Sequence, residues 1–315
     1  MSGLGERGRR GIRLRLPATS ANLGPGFDAV GLALSMWLTV EAWPAQEWSI
    51  EATGRDAELV GSVDGNLILE TYKNVIENLS VEAPAALRLK MNNEIPLGMG
   101  CGSSAAAICA GVVLADHFAG LQWSDQRSVS EATMREGHPD NVAACWYGGF
   151  TVSAMTESGV KAASFTGNPE WELMLAMQPA ALATKEARAL LPDSYSRADT
   201  VFNVQRAALL TAAFAQGRLD LLKAGMQDRV HQPYRLKACP LLERLLPLAK
   251  EPYVAGVALS GAGPSVLVIL NEGITPLEKT ELLVKAGGGI EWVPVKIAGG
   301  VERTVLQAAE TSGTV

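Results

Sequence analysis

The sequence predicts an α+β protein built as two lobes. Three observations predict this. Short alternating apolar stretches are interleaved with helical spacing, Gly148-Gly149 breaks the chain near its middle, and 315 residues suffice for two domains of ordinary size. The helices read as covers on one face of antiparallel sheets, which separates this class from a doubly wound sheet. The break puts an N-terminal lobe over residues 1–155 and a C-terminal lobe over 156–315.

Ile12 to Leu16 alternates apolar residues with Arg, a half-exposed strand that Pro17 should end. Ser35 to Ala42 and Trp48 to Ala52 read as further strands. From Asn66 to Leu79 the apolar residues Leu67, Leu69, Val75, Ile76 and Leu79 recur at helical spacing, after the turn signal Asp64-Gly65. Leu87, Leu89 and Met91 alternate with Arg88 and Lys90 and lead into a Gly-rich loop. Ala105 to Phe118 is apolar nearly all round and predicts a buried helix, Ser124 to Arg135 a more exposed one, and Phe150 to Met155 a strand. In the second lobe Glu172 to Gln178 predicts a strand. Helical patterns follow at Lys185 to Leu191, Ala198 to Gln216, Leu219 to Met226 and Pro240 to Lys250. Val254 to Ser260 and Ser265 to Leu270 are apolar strands around a Gly-rich turn, before a helix near Leu277 to Lys285 and a strand near Ile290 to Ile297.

A net charge of -6 disfavours a general nucleic-acid or anionic-membrane surface, and leaves room for a local basic pocket. Arg7, Arg9, Arg10, Arg13 and Arg15 are followed by no apolar stretch of signal-peptide type, so a frayed tail is expected. The apolar run Ala105 to Ala115 is too short to span a bilayer. Cys101, Cys109, Cys145 and Cys239 have no C-x-x-C spacing, and with three histidines they predict reduced cytoplasmic thiols and no zinc site.

The segment Pro96 to Ala105 (PLGMGCGSSA) joins a strand to the buried helix. Gly98, Gly100 and Gly102 allow close backbone approach, and the helix N-terminus points unsatisfied N–H groups and a positive dipole end at the loop. That combination suits an anion, phosphate above all. No Lys follows the glycines as in a Walker A loop, and Ser103 stands where a dinucleotide-binding loop needs its last Gly.

Two further stretches carry a resemblance: Pro17 to Asp28 (PATSANLGPGFD) and Leu259 to Ser265 (LSGAGPS). With the central loop they resemble, in order and spacing, the three motifs of the GHMP kinases. The first motif, together with Glu136 to Asn141 (EGHPDN) and Thr184 to Arg188 (TKEAR), is similar to the homoserine kinase branch. Met99 and Cys101 depart from the residues common in that loop. The resemblance spans about residues 11 to 310 and implies a ribosomal S5 domain 2-like N-terminal lobe and a ferredoxin-like C-terminal lobe.

It also implies ATP and Mg²⁺ as cofactors, and transfer of the γ-phosphoryl group to the hydroxyl of L-homoserine in threonine biosynthesis. Pro96, Leu97, Gly98, Met99, Gly100, Cys101, Gly102, Ser103, Ser104, Ala105 and Ala106 would then line the ATP site. Asn66 would contact the nucleoside, or else cap its helix, and Ser104 and Glu136 would hold the metal. A zwitterionic acceptor asks for guanidinium forks and a carboxylate. Arg188 and Arg235 are the forks, with Arg206 a weaker choice, and Asp28 is the carboxylate. Asn22, His138 and Asn141 would orient the hydroxyl end, and Thr184 would donate to the γ-phosphate or cap a helix.

Asn141, Thr184 and Arg188 are thus the catalytic candidates, although an amide cannot act as a general base. Catalysis by positioning, with the proton passing to the γ-phosphate, is the resulting expectation. L-Threonine or shikimate as acceptor, a nucleotide sensor without catalysis and a Rossmann oxidoreductase are the competing readings. A homodimer is the family-level expectation.

Overall fold

The computed structural model describes residues 10–165, 170–178 and 184–307, with the backbone alone described for 184–186. The first lobe contains β1 (Ile12–Asn22), β2 (Gly26–Ala45), β3 (Ser49–Gly54), α1 (Ala57–Val60), α2 (Leu67–Leu79), β4 (Ala86–Asn93), α3 (Ser103–Ala119), α4 (Asp125–Glu136), α5 (Pro139–Tyr147), β5 (Phe150–Thr156) and β6 (Gly159–Phe165). The second contains β7 (Leu173–Met177), α6 (Thr184–Ala189), α7 (Arg197–Gln216), α8 (Leu222–Gly225), α9 (Gln232–Arg235), α10 (Pro240–Leu245), β8 (Val254–Leu259), β9 (Val266–Leu270), α11 (Pro276–Ala286) and β10 (Glu291–Val295). The last strand, β11 (Glu302–Val305), returns to the first lobe and pairs with β1.

Among the described residues the first sheet has the order β11-β1-β2-β4-β3, with β5 added on β2 and β6 on β5. It is not wholly antiparallel, because β3 runs parallel to β4. The second sheet has the order β10-β7-β9-β8 and is antiparallel throughout. Taken along the lobe, that order is fourth, first, third, second, the ferredoxin-like arrangement.

Two expectations need correction. Pro17 does not end β1. The register against β2 shifts between Pro17 and Ala18, so the missing N–H falls at a bulge and the strand continues to Asn22. Residue 155 is not a lobe boundary either. It lies inside β5, whose hairpin with β6 stays on the first sheet.

Helix α3 is buried along most of its length, as an apolar surface all round requires. One apolar cluster runs from Leu14, Leu32 and Val112 through Phe150 to Phe214, Leu175 and Leu267 and so reaches both sheets, while a second cluster with Leu242, Val257, Val268 and Leu282 packs on the second sheet. Phe150 of β5 stacks on Phe214 of α7 with ring centroids 4.1 Å apart. This shared packing fixes the β1–β2 connection, the loop before α3 and the β8–β9 turn against one another, and those three connections build the site.

Candidate active site

Gly98, Gly100 and Gly102 all have left-handed φ, at 68°, 70° and 70°. A side chain at Gly102 would collide with the Thr19 hydroxyl, and one at Gly100 with the Ser260 carbonyl. Backbone hydrogen bonds make use of this proximity. Thr19 N donates to Cys101 O (2.9 Å) and Gly261 N to Ala21 O (3.1 Å). The Ser260 hydroxyl donates to Gly100 O (2.8 Å), and Asn22 Nδ2 to Gly261 O (2.9 Å). The first intrahelical bond of α3 is Ala106 N to Gly102 O (3.0 Å), leaving the N–H groups of Ser103, Ser104 and Ala105 for a ligand. Cys101 is a packing residue. Its thiol lies 3.7 Å from the Ser265 hydroxyl, and burial pushes its pKa up to about 12, so no reactive thiolate forms.

The loop is one wall of a cleft of about 280 Å³ whose far wall carries opposed charges. The Asn22 side-chain oxygen accepts from Asp28 N (3.0 Å), which fixes the turn carrying Asp28. Arg188 donates to both oxygens of Asp28 (2.9 and 2.6 Å). The Phe27 ring lies near two guanidinium groups, with Arg188 5.3 Å and Arg235 5.5 Å from its centre. The Asp28 hydrogen bond raises the pKa of Arg188, whereas burial and the Arg188 charge lower that of Arg235.

At the helix junction Glu136–Asn141, the His138 ring Nδ1 lies 2.6 Å from the buried Asp140 carboxylate. Burial alone would lower the His138 pKa, but Asp140, through this bond and its charge, raises it. Asn141 accepts from the Thr19 hydroxyl (2.7 Å). Ser104 donates to Glu136 (2.7 Å), so both expected metal ligands converge with oxygen atoms beside the loop. Desolvation raises the Glu136 pKa, and hard oxygen donors fit Mg²⁺.

A second cavity of about 270 Å³ shares Ser103 and Ser104 with the first and is lined mainly by Leu38, Val60, Leu67, Ile68, Met91 and Ile95. Asn66 lines it and caps α2, accepting from Ile68 N (3.1 Å), as the capping expectation required. Its outer rim, Leu59, is 70% exposed. The neighbouring Asp56 carboxylate accepts from Leu97 N (2.9 Å), tying this rim to the Gly-rich loop. An apolar slot opening onto a phosphate loop has the form of a nucleoside site.

Comparison with known proteins agrees with this geometry. The GHMP kinases N terminal domain matches residues 66–149 and the GHMP kinases C terminal family matches 210–274. A homoserine kinase of Solibacter usitatus is 48% identical over 83% of this chain and 86% of its own. The chain belongs to the homoserine kinase family. A Desulfitobacterium hafniense homoserine kinase is 39% identical over 82% and 87% of the two chains. The solved homoserine kinase of Cytophaga hutchinsonii, 23% identical, shares the fold with a TM-score of 0.76 over 94% of this chain and 98% of its own.

Of the residues expected in this homoserine kinase site, Asn22, Asp28, His138, Asn141, Arg188 and Arg235 meet in one cleft with Gly98, Gly100, Gly102, Ser103, Ser104 and Glu136. Asp28 and Arg188, assigned to opposite ends of the acceptor, are paired with each other. Arg206 is not in the cleft; its guanidinium stacks on Phe202 at 4.2 Å. The Thr184 side chain lies outside the described residues. Sequence reasoning gave no role to Thr19, Phe27 and Asp56, although Thr19 and Phe27 stand inside the first motif, and it weighed Asp140 only as a base without assigning it.

Gly102→Ala forces a left-handed alanine against Thr19, at a backbone cost of about 1–2 kcal/mol before the clash. ATP affinity should fall at least about tenfold with the fold retained, as read by nucleotide titration. Glu136 must be ionised to hold a cation and its pKa is raised, so Mg²⁺ affinity should decline from a higher pH than an ordinary carboxylate would give as pH falls. Glu136→Gln should weaken Mg²⁺ binding and flatten that pH dependence in a metal titration.

Proposed function

We propose that the protein transfers the γ-phosphoryl group of ATP to the side-chain hydroxyl of L-homoserine, giving O-phospho-L-homoserine and ADP. The observation that carries this reading is the layout of one cleft, with a phosphate loop at one end and Asp28, Arg188 and Arg235 at the other. The adenosine portion suits the apolar slot beside Asn66, and its phosphates suit the N–H groups of Ser103, Ser104 and Ala105. Ser104 and Glu136 would hold Mg²⁺, which when bound supplies neutralisation of phosphate charge. The acceptor carboxylate suits the two guanidiniums and its ammonium suits Asp28.

In the transfer, the hydroxyl oxygen forms a bond to the γ-phosphorus while the bond to the bridging oxygen of ADP breaks. The Asn141 side-chain oxygen already accepts the Thr19 hydroxyl, and an amide does not take up a proton. Asp140 is compensated by His138 and by Asn141 N (2.7 Å), which argues against its use as a free base. We therefore assign the rate to alignment and fixed donors, with the hydroxyl proton passing to a γ-phosphate oxygen. Asn141→Ala is then expected to lose far more than Asp140→Asn or His138→Gln in single-turnover rates. The opposite order, with all variants folded, would implicate a side-chain base.

Because Asp28 and Arg188 are paired before the acceptor arrives, an acceptor with both charges exchanges one internal ion pair for two new ones. An acceptor with a single charge leaves one partner bare. A coupled ADP-release assay should therefore prefer L-homoserine over shikimate, the hydroxy acid lacking the ammonium and the amino alcohol lacking the carboxylate. The two single-charge analogues should lose at least about hundredfold in kcat/KM. Faster turnover of shikimate or of either analogue than of homoserine would reject the reading.

A cytoplasmic setting is proposed as well. It is supported by four free, buried cysteines. Among the described residues no helix is long and apolar enough to cross a membrane.

A further inference from the structure

His231 is fully buried and does not line the cleft. Its Nε2 lies 2.7 Å from the Gly24 carbonyl. A carbonyl only accepts, so Nε2 carries the ring proton and Nδ1 is bare. Arg235 Nη1 donates to that bare nitrogen across 3.1 Å. Among the described residues the other hydrogen bonds of Arg235 also go to neutral acceptors, Ala187 O (3.2 Å) and Gly261 O (3.3 Å). A guanidinium that is 2% exposed and, among the described residues, hydrogen-bonded only to carbonyls and an imidazole suits an anion.

The backbone around His231 is fixed by one carboxylate. Asp228 accepts from His231 N (2.9 Å), Gln232 N (2.7 Å) and Asn203 Nδ2 (2.8 Å). Gly24, at the other end of the imidazole, lies in the connection that carries Asn22, Phe27 and Asp28. Phe27 itself contacts the His231 ring, with centroids 5.4 Å apart. Burial lowers the His231 pKa and keeps the ring neutral, as an acceptor to Arg235 must be.

We infer that His231 is a positioning residue for the acceptor: its Nε2-protonated ring locks Arg235 to the Gly24 carbonyl, and so sets both charged ends of the acceptor pocket relative to each other. The inference rests on the proposed reading of Arg235 as a carboxylate ligand. It predicts a division of labour, because the ring touches the acceptor side of the cleft and none of the Gly-rich loop before α3.

The test compares the full-length parent with His231→Leu and His231→Gln. Leucine removes both hydrogen bonds. Glutamine keeps one N–H donor and one acceptor oxygen on the same side chain. His231→Leu should raise the homoserine KM about tenfold or more, with the ATP KM within about twofold of the parent. Its kcat/KM for the amino alcohol lacking the carboxylate should not change, and His231→Gln should recover most of the homoserine KM.

An unchanged homoserine KM, a parallel rise in the ATP KM, or an equal loss on both acceptors overturns the inference. A parent that does not phosphorylate homoserine at all overturns the functional reading instead, and the inference with it. Should the leucine variant not fold, nitrogen NMR of the parent imidazoles decides: a neutral His231 with its proton on Nε2 is expected, and a proton on Nδ1 at neutral pH overturns the proposal.

Discussion

The site depends on how closely three backbones approach one another. Thr19, Gly100–Gly102 and Ser260–Gly261 come from three distant parts of the chain and meet where no side chain fits at Gly100 or Gly102. The left-handed turn at Gly102 that admits the Thr19 hydroxyl also starts α3, and so aims its free N–H groups into the cleft. The same contact lets Thr19 reach Asn141 on α5. Phosphate loop, acceptor connection and the Asn141 amide are thereby a single hydrogen-bonded unit. Its rigidity comes from backbone geometry more than from large side chains, because each link is a short bond to a carbonyl or hydroxyl that cannot shift without breaking another.

Charge in the cleft follows the same economy of partners. An overall charge of -6 is no obstacle to binding a nucleotide, because the local field is set by the α3 N-terminus and by Arg188 and Arg235. Each acidic group in the cleft has a specific neighbour: Glu136 has Ser104, Asp140 has His138 and Asp28 has Arg188. Among the described residues Arg235 hydrogen-bonds to no carboxylate, and its desolvation is offset by carbonyls and an imidazole. Burying a cation without a carboxylate partner is costly in any fold, and on the proposed reading the acceptor carboxylate would be that partner.

How much of this was legible in the sequence depends on the range of the interaction. Helix α3 was visible because its apolar surface is a local pattern, and the glycines before it because their spacing is local. Pro17 misled for the same reason: a proline reads as a strand end unless the bulge in its partner register is known. The strands β6 and β11 and the helix α5 went unread, since β11 is exposed along its length and α5 opens with Pro139 in a stretch of mixed character. The motifs located Asp28 and Arg188 but not their mutual pairing, which joins residues 160 positions apart. His231 carried no signal at all, because its meaning lies in Gly24, 207 positions away.

Asn141 shows why an amide suits this position. It adjoins Asp140, which is buried and already engaged by His138, and it lies in the same cleft as Glu136 and the phosphate loop. A carboxylate there would add a further negative charge next to Asp140 in a poorly solvated place, and one of the two would have to take up a proton. An amide accepts the Thr19 hydroxyl just as well and still offers N–H donors toward Asp140 (3.4 Å). The amide therefore keeps the three-backbone junction intact without raising the negative charge that an incoming phosphate must meet. An amide does not take up a proton, so on the proposed reading the cleft would act by aligning both reactants through fixed donors.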